Sequence, residues 1–358
     1  MRPTDTTCEH VLPLSTDPAL RRRFMVLKDP IPGNFRFGVL LEVLDRLAAD
    51  TAMAYAQRFQ PEARVVTAAL DEIVVRRVAD VTRDVRCLAR INHVGRTSME
   101  VGIRVESAPD RAHLASCYFT MVARDGDGPG ARSVAIPPLE LGDDVERVRA
   151  ARAAARRAAY RREQDSLVEP PSRDEFLLLS ALHREQEEPG FAGVRARDVV
   201  TETWERTYPE QENLSAVIFG GYIMRRAYEL ASICAERVAL DRPVMAAVNR
   251  VNFFHPVQIG DKLHLTSRVV YTDGAMVCIE TGIERISRDR SARALSNSCR
   301  FTFVNIDRGL RPVPVPTLHP SDYAEDARYL AARRDLRGLE ERSAKGWLLS
   351  YLAGAQRD

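Results

Sequence analysis

Two helical segments of the sequence carry groups that could take part in acid–base chemistry. Asp45 interrupts an apolar helical run that begins after residues 35–38. Burial in such a run raises the pKa of a carboxylate toward neutral pH, which suits a general base. The segment Phe219-Gly220-Gly221 opens a second helical run. Its glycines leave free backbone N–H groups, at the positive end of a helix dipole, open to a developing oxyanion.

Each of these residues also has a structural interpretation. An Asp on an apolar helix is often only the partner of an Arg or a backbone group, and Asn213 would ordinarily be a cap or turn residue. Glu229 is interpreted as an ion-pair residue, and His93 and His255 as structural histidines. The hypothesis of a catalytic role for Asp45 and Asn213 therefore depends on their register within a repeated pattern.

An internal repeat organises the chain. Each unit has a helix with apolar residues at helical spacing, followed by runs rich in β-branched residues or with alternating polarity. The clearest echo is between residues 66–70 (VTAAL) and 244–248 (VMAAV). In the first unit, strands are predicted at Val65–Val75, Val85–Ile91, Ser98–Val105 and Leu114–Val122. In the second unit, the runs Val244–Val248 and Phe253–Val257 lead to a turn at 259–262, and strands are predicted at Leu263–Tyr271, Met276–Arg285 and Ala294–Val304.

One helix followed by several antiparallel strands, twice over, predicts an α+β fold. A long helix that is apolar on most of its surface must be wrapped by the sheet, which is the hotdog layout. We expect two tandem hotdog domains that pair their sheets edge to edge as an intramolecular pseudo-dimer, because this protects the edge strands. The predicted boundaries are hotdog domain 1 at 1–136, an Ala/Arg-rich helical linker at 137–195, hotdog domain 2 at 196–310, and a helical C-terminal tail at 311–358.

Composition excludes several other classes of protein. Lys and Arg number 52 against 50 Asp and Glu among 358 residues, so no basic balance indicates nucleic-acid binding. The Arg-rich segment 141–164 is interpreted as an exposed linker helix, because acidic residues dilute its charge. No apolar run is long enough to span a bilayer, and no secretory signal is evident, which predicts a cytoplasmic protein. The six cysteines and seven histidines lack ligand spacing, so no metal site is expected.

With the repeat established, the sequence resembles the two-hotdog acyl-CoA thioesterases, most closely the mitochondrial-type branch. The resemblance covers roughly residues 8 to 310. Each motif alone is weak evidence for the family, whereas the order of the motifs in the two units is specific evidence for it. The motifs are Glu9–Leu14, Arg36–Gly38 with Asp45, Gly95–Val101, Met121–Asp125, Ile218–Ala231 and Pro256–Asp261.

The resemblance implies active sites between two hotdogs, with an Asn before the Phe-Gly-Gly turn of one and an Asp on the helix of the other. Unit one has Asp45 but Pro30 in the Asn position, and unit two has Asn213 but Tyr228 in the Asp position. The resemblance thus implies one complete site and one degenerate site.

Asp45 would act in the complete site as general base, or less favourably as nucleophile. Asn213 would bind the carbonyl or orient the water, and the Gly221 N–H would stabilise the oxyanion. Residues expected to contact the coenzyme A substrate are Gly95, Arg96, Thr97, Ser98 and Gly220.

The implied function is hydrolysis of acyl-CoA thioesters to free acid and coenzyme A, with no cofactor apart from the coenzyme A of the substrate. The implied assembly is a homo-oligomer, either a trimer of pseudo-dimers or a dimer. One alternative is a hotdog dehydratase, lyase or cyclase acting on carrier-bound acyl chains; dehydratase chemistry usually needs a His, and neither helix carries one. Another alternative is a non-catalytic acyl-CoA binding protein.

Overall fold

A computed structural model describes residues 1–108, 110–126, 130–165, 169–212 and 217–342 of the chain. Six α-helices lie in this part. They are α1 (Pro18–Phe24), α2 (Phe37–Ala56), α3 (Asp144–Asp165), α4 (Arg173–Glu187), α5 (Gly220–Ala235) and α6 (Tyr323–Arg342). The strands are β1 (Cys8–Leu12), β2 (Arg64–Val75), β3 (Val85–Val94), β4 (Ser98–Ser107), β5 (Ala112–Arg124), β6 (Val194–Arg195), β7 (Val200–Arg206), β8 (Pro243–Phe253), β9 (Lys262–Asp273), β10 (Met276–Ile286), β11 (Arg293–Asn305) and β12 (Leu318–His319).

Ten strands form one antiparallel sheet in the order β1-β3-β4-β5-β2-β8-β11-β10-β9-β7. The two units meet at the centre, where β2 pairs with β8. Helix α2 packs on the strands of unit one, α5 packs on those of unit two, and the two helices contact each other. The predicted α+β fold, with two helices wrapped by edge-paired sheets, is therefore confirmed. The short strands β6 and β12 form a separate parallel pair.

The sequence of α2 explains why it lies in the core. Apolar side chains occur around most of its circumference, so the helix cannot present an apolar stripe to one side and remain in water on the other. The crossing with α5 is close. A methyl group added at Gly38 would lie 3.3 Å from the backbone oxygen of Arg225, and one added at Gly221 would lie 2.9 Å from Cα of Glu42. Glycine at these two positions therefore permits the helix–helix contact.

The two units superpose in register along their last strands. Residues 116–122 of β5 (SCYFTMV) match residues 298–304 of β11 (SCRFTFV). This match is closer than the one between residues 66–70 and 244–248. The matched threonines make matched contacts, because Thr120 donates to Asp71 at 3.3 Å and Thr302 donates to Asn249 at 3.3 Å. This register makes position 67 of unit one equivalent to position 245 of unit two.

The predicted strands are confirmed with small shifts at their ends. The run Phe253–Val257 extends past the end of β8, which covers Pro243–Phe253. The Phe254 N–H then donates to the Ser296 carbonyl, and Pro256 has no backbone N–H to continue a ladder. Strands β1 and β7, which close the two edges of the sheet, were not predicted.

The prediction of an exposed linker helix is wrong for one face of α3. Ala153 on that face is 1% exposed. Arg156 pairs with the buried Glu100 at 2.6 Å and stacks 3.7 Å from the ring centre of Tyr118. An Arg stem can cover apolar surface while its head is paired, which is why an Arg-rich sequence still docks.

Helix α6 has the equivalent place on unit two. Arg328 of α6 pairs at 3.2 Å with Glu280 of β10. The sequence of the tail predicts a packing arm that ends in an apolar stretch, and the burial of Tyr329, Leu330 and Leu336 agrees with this prediction. Its predicted apolar end, Trp347-Leu348-Leu349, lies outside the described residues.

Candidate active site

The Asp45 carboxylate lies at the junction of the two units. Its side chain is 0% exposed. Thr67 of β2 donates a hydrogen bond of 2.7 Å to Oδ1. Oδ2 accepts no hydrogen bond of good geometry among the described residues. This oxygen faces the start of α5, because a methyl group added at Gly220 would lie only 3.2 Å from it. One carboxylate oxygen is therefore fixed, and the other retains an open lone pair.

Burial raises the pKa of Asp45 from its ordinary value of 3.8 to about 6. Desolvation of the charged form is the main cause, and three smaller interactions oppose it. They are the Thr67 hydrogen bond, the nearby Gly221 N–H and the charge of Arg46. The pKa places Asp45 close to neutral pH, where a carboxylate can both accept and return a proton.

The sequence indicates no role for Thr67, although this residue lies in the repeated segment 66–70. The signal lay in the comparison of the two units. Unit one has Thr67 facing Asp45, whereas the equivalent position of unit two is Met245. At this pair of equivalent positions, the hydroxyl is present in the unit that also has the carboxylate.

The N-terminus of α5 has the geometry expected of an oxyanion site. The Phe219 carbonyl accepts hydrogen bonds from the Tyr222 and Ile223 N–H groups, at 3.1 and 3.4 Å. Among the described residues, neither Gly220 nor Gly221 donates to a backbone carbonyl. These two N–H groups point out of the helix end, as the first groups of any helix do.

Asn213, the predicted amide of this site, lies outside the described residues. The residues on either side of that gap are held close to the start of α5. Glu212 forms a β-bridge with Ile218, and the Phe219 N–H donates to the Gln211 carbonyl at 3.0 Å. The chain therefore enters and leaves the 213–216 segment beside Gly220.

The predicted coenzyme A turn, Gly95 to Ser98, joins β3 to β4. It lies at the same end of the sheet as Thr67, because Thr67 pairs with Met121 and Ser98 with the adjacent Val122. Strand β5 separates the turn from β2, so the turn and Thr67 are two strand spacings, about 10 Å, apart. The turn and Thr67 therefore lie at the same end of the sheet, on strands that are not adjacent.

Two arginines flank this turn. Arg96 is exposed. Arg157 of α3 lies directly against Gly95, where any added methyl group would collide with its guanidinium. Burial and the charge of Arg157 also lower the pKa of His93. The docking of α3 on unit one thus adds a cation that sequence reasoning did not predict for this turn.

The second junction, at the N-terminus of α2, is built differently. Tyr228 replaces the acid and packs against Phe37, with ring centres 6.1 Å apart. Phe37 occupies the position of Gly220, so an aromatic ring fills the space that is open beside Asp45. Burial raises the pKa of Tyr228 far above its usual range, which leaves it neutral. Among the residues that the structure describes, the second junction therefore has no acid at the position equivalent to Asp45.

Glu229 lies in an ion-pair cluster, as predicted. It contacts Arg36, Arg225 at 3.0 Å and Arg226 at 2.6 Å. Although burial opposes it, the attraction of Arg225 and Arg36 lowers its pKa. Arg225 also contacts Glu42 of α2 at 3.2 Å, so the cluster joins the two helices. Glu229 is consequently held as a structural anion.

Other chemistries find no support in the described part of the chain. No group of three or more His, Cys, Asp or Glu side chains within it is placed to hold a metal ion. Five of the six cysteines are buried and all six are unpaired, which agrees with their interpretation as small hydrophobes. None of the helices described is long and apolar enough to cross a membrane.

The paired hotdog units, and the buried acid that faces a glycine-rich helix N-terminus, define a class of thioester-processing folds. The chain belongs to the Thioesterase superfamily, whose model matches residues 33–112 and 216–292. The two matched regions contain the two long helices and most of the strands that wrap them. The predicted resemblance is therefore confirmed.

Individual relatives agree with this assignment. Human mitochondrial acyl-coenzyme A thioesterase 9 is 27% identical over 357 residues, which covers 94% of this chain and 78% of that protein. Protein VdlD of Helicobacter pylori is 31% identical over 144 residues, which covers 40% of this chain and 79% of VdlD. The crystal structure of a candidate oleoyl thioesterase from Lactobacillus plantarum has a TM-score of 0.51 at 11% identity. It covers 84% of this chain and 95% of that one, and supports the fold alone.

Proposed function

We propose that this protein hydrolyses acyl-CoA thioesters to the free acid and coenzyme A, at the junction between Asp45 of unit one and the N-terminus of α5 in unit two. The observation that carries the proposal is the placement of the Asp45 carboxylate. It is fully buried, fixed through one oxygen by Thr67, and open through the other oxygen beside Gly220. The names of the acyl-coenzyme A thioesterases among the relatives support the substrate class.

Asp45 is the general base in this scheme. Oδ2 accepts a proton from a water molecule as the water oxygen attacks the thioester carbonyl carbon. Thr67 keeps Oδ1 occupied, so the carboxylate cannot rotate freely away from the water. When the carbon–sulfur bond breaks, the same carboxyl group returns the proton to the departing thiolate of coenzyme A. A pKa of about 6 suits both transfers.

The N-terminus of α5 stabilises the negative charge that develops on the carbonyl oxygen. The free N–H groups of Gly220 and Gly221 and the helix dipole act together there. Without substrate, the Gly221 N–H lies near the Asp45 carboxylate and favours its charged form. An entering carbonyl oxygen would take over this donor, which would weaken the stabilisation of the carboxylate and make it a stronger base. Asn213 would add an amide donor from the segment that precedes the helix.

The Gly95–Ser98 turn and its two arginines suit the phosphates of coenzyme A. Arg96 and Arg157 present guanidinium groups, which bind phosphate oxygens in paired hydrogen bonds. Assembly into a homo-oligomer, either a dimer or a trimer of pseudo-dimers, and a cytoplasmic location stay predictions from sequence.

Thiol release from a series of short, medium and long acyl-CoA substrates tests the function. Free coenzyme A can be followed with a colorimetric thiol reagent. We expect Asp45→Ala and Asn213→Ala each to abolish release. Glu229→Gln, which alters a half-buried carboxylate outside the site, should retain it. No release with any chain length would contradict the proposal, and retained activity in Asp45→Ala would overturn the assignment of the base.

A further inference from the structure

An aromatic side chain of unit two borders the space beside Asp45. Phe253 is the last residue of β8, and its ring lies against the start of α5. A methyl group added at Gly220 would lie 3.2 Å from Cε1 and Cζ of this ring, and also 3.2 Å from Oδ2 of Asp45. The ring is only partly buried, so it keeps surface for a further contact. The ring and the carboxylate oxygen therefore flank the same point beside the helix N-terminus.

The gap between the ring and the carboxylate is narrow. A single carbon atom at the flanked point is closer to the ring than the separation of about 3.5–4.0 Å that two carbon atoms prefer. A group that enters here must therefore be thin, or the ring must move.

Phe253 and the Gly95–Ser98 turn lie on opposite sides of Thr67. In the strand order β3-β4-β5-β2-β8, the turn is two strands to one side of Thr67 and Phe253 is one strand to the other. Ala69 of β2 pairs with Asn252 of β8. Phe253 and Thr67 are consequently at the same end of the sheet. The turn, Thr67 and Phe253 thus follow one another along that end.

Coenzyme A and the acyl group lie on opposite sides of the reacting carbonyl in a thioester. The proposed function puts the phosphates of coenzyme A at Gly95–Ser98 and the carbonyl beside Asp45. The acyl group then extends toward β8, where the ring of Phe253 lies. Contact between acyl carbons and this ring removes apolar surface from water, which favours binding. Phe253 is thus placed to contact the acyl side of the substrate.

The second junction has the reverse arrangement of aromatic and smaller residues. Phe253 pairs with Asn297 of β11. Val75 of β2 pairs with Ala115, the equivalent of Asn297 in unit one, so Val75 is the counterpart of Phe253. The first junction has glycine on the helix and phenylalanine on the strand, whereas the second has Phe37 on the helix and valine on the strand. An aromatic ring therefore borders the space at one junction and fills it at the other.

We propose that Phe253 is a specificity-determining residue that contacts the acyl carbons next to the reacting carbonyl and disfavours substrates with a branch there. This selection rests on the proposed hydrolysis at Asp45. An unbranched chain passes along the ring, whereas a methyl branch on the first carbon meets the ring or displaces the carbonyl from the N–H groups of Gly220 and Gly221. A displaced carbonyl reacts more slowly, because its oxygen no longer meets the donors that stabilise its charge.

A pair of isomeric substrates tests the proposal. An unbranched acyl-CoA that the protein hydrolyses is compared with its isomer branched next to the carbonyl, such as butyryl-CoA with isobutyryl-CoA. The two have the same number of carbons, and kcat/KM for each is measured by thiol release. We expect Phe253→Val to raise the ratio of branched to unbranched kcat/KM about tenfold, since one methylene group in an apolar pocket changes this constant by about 10- to 200-fold. Phe253→Trp should lower the ratio.

Two controls separate this effect from a general disturbance. The ratio does not depend on the fraction of folded enzyme, and valine already occupies the equivalent position 75 of unit one. Phe254→Val makes the same change at the next residue, whose side chain is 44% exposed, and should leave the ratio unchanged. Inhibition by free coenzyme A should stay within about twofold in Phe253→Val, because the ring lies on the acyl side.

An unchanged ratio in Phe253→Val, or an equal rise in Phe254→Val, would overturn the proposal, while hydrolysis by the parent protein would still support the proposed function. An unchanged ratio with weaker inhibition by coenzyme A would put the ring against the coenzyme instead, and would also overturn it. Absence of hydrolysis with every acyl-CoA would overturn the proposed function and this selectivity together.

Discussion

Each long helix begins beside the middle of the other, so the protein presents two junctions built on one plan with different residues. At the start of α5, Gly220 leaves space beside Asp45, and Thr67 fixes the carboxylate. At the start of α2, the same three positions hold Phe37, Tyr228 and Met245. The junction at the start of α5 is therefore open and polar, whereas the junction at the start of α2 is closed and aromatic.

The side-chain contacts around the two junctions also differ in kind. Arg36, before α2, pairs with Glu229 of α5. The equivalent pair at the other junction is Phe219 and Arg46, with the guanidinium 4.7 Å from the ring centre. A duplicated chain can vary each half separately, which a symmetric dimer of identical subunits cannot do. One junction is therefore built for packing and the other for a charged group. Substitutions at the two junctions can test this difference.

Tyr228→Asp should have the largest effect on stability. It would place a carboxylate among the rings of Phe37, Phe301 and Phe303, with no Thr to bind it. Loss of a buried aromatic and burial of an unpaired acid should lower the free energy of unfolding by about 3–5 kcal/mol. Urea denaturation measures this, and no new hydrolysis should appear. A stable variant with doubled activity would show that the second junction needs only an acid.

Asp45→Asn should stabilise the protein at high pH. With a folded pKa of about 6 against 3.8, the folded state binds more protons than the unfolded state between these pH values. Stability is therefore lost as the pH rises through this window, and the full penalty is present above pH 6. Removing the charge should raise the free energy of unfolding by about 1–3 kcal/mol at pH 8 and by little at pH 4. A destabilised variant at pH 8 would contradict the raised pKa.

Thr67→Val should reduce hydrolysis about 10- to 100-fold, because it removes the bond that orients the base and leaves the carboxylate less well solvated. The midpoint of the rate–pH profile should also move above its starting value near 6, since the lost hydrogen bond lowered the pKa. Steady-state rates between pH 5 and 9 give both quantities. Met245→Leu, at the equivalent position, should change neither, and an equal effect of both substitutions would remove the distinction between the junctions.

Arg46→Gln should have the smallest effect. The side chain is exposed and stacks on Phe219, so its loss should cost less than about 1 kcal/mol of folding free energy. Because the charge of Arg46 lowers the pKa of Asp45, the midpoint of the rate–pH profile should rise slightly. Kinetics at low and high salt check the electrostatic origin, since salt screens an exposed charge. A large loss of rate at all pH values would instead place Arg46 in substrate binding.

The repeat and the two helices could be predicted from the sequence because apolar periodicity and glycine pairs are local signals. The neighbourhood of Asp45 and Gly221 was implied by the resemblance to the two-hotdog thioesterases, which places each active site between two units. Thr67 could be found only by comparing the units position by position, since its role depends on a side chain 22 residues away. The docking of α3 could not be read from its composition, because it depends on Glu100 and Tyr118 in distant strands.

The most direct test of the division between the junctions compares two substitutions at one equivalent position, Asp45→Asn and Tyr228→Phe. Both remove a polar group of the same helix turn, and both are nearly isosteric. We predict that Asp45→Asn lowers the rate constant for thiol release from acyl-CoA by at least about 10³-fold, as expected for loss of a general base. Tyr228→Phe should retain the parent rate within a factor of about two. Comparable losses in both variants, or a fully active Asp45→Asn protein, would contradict the account.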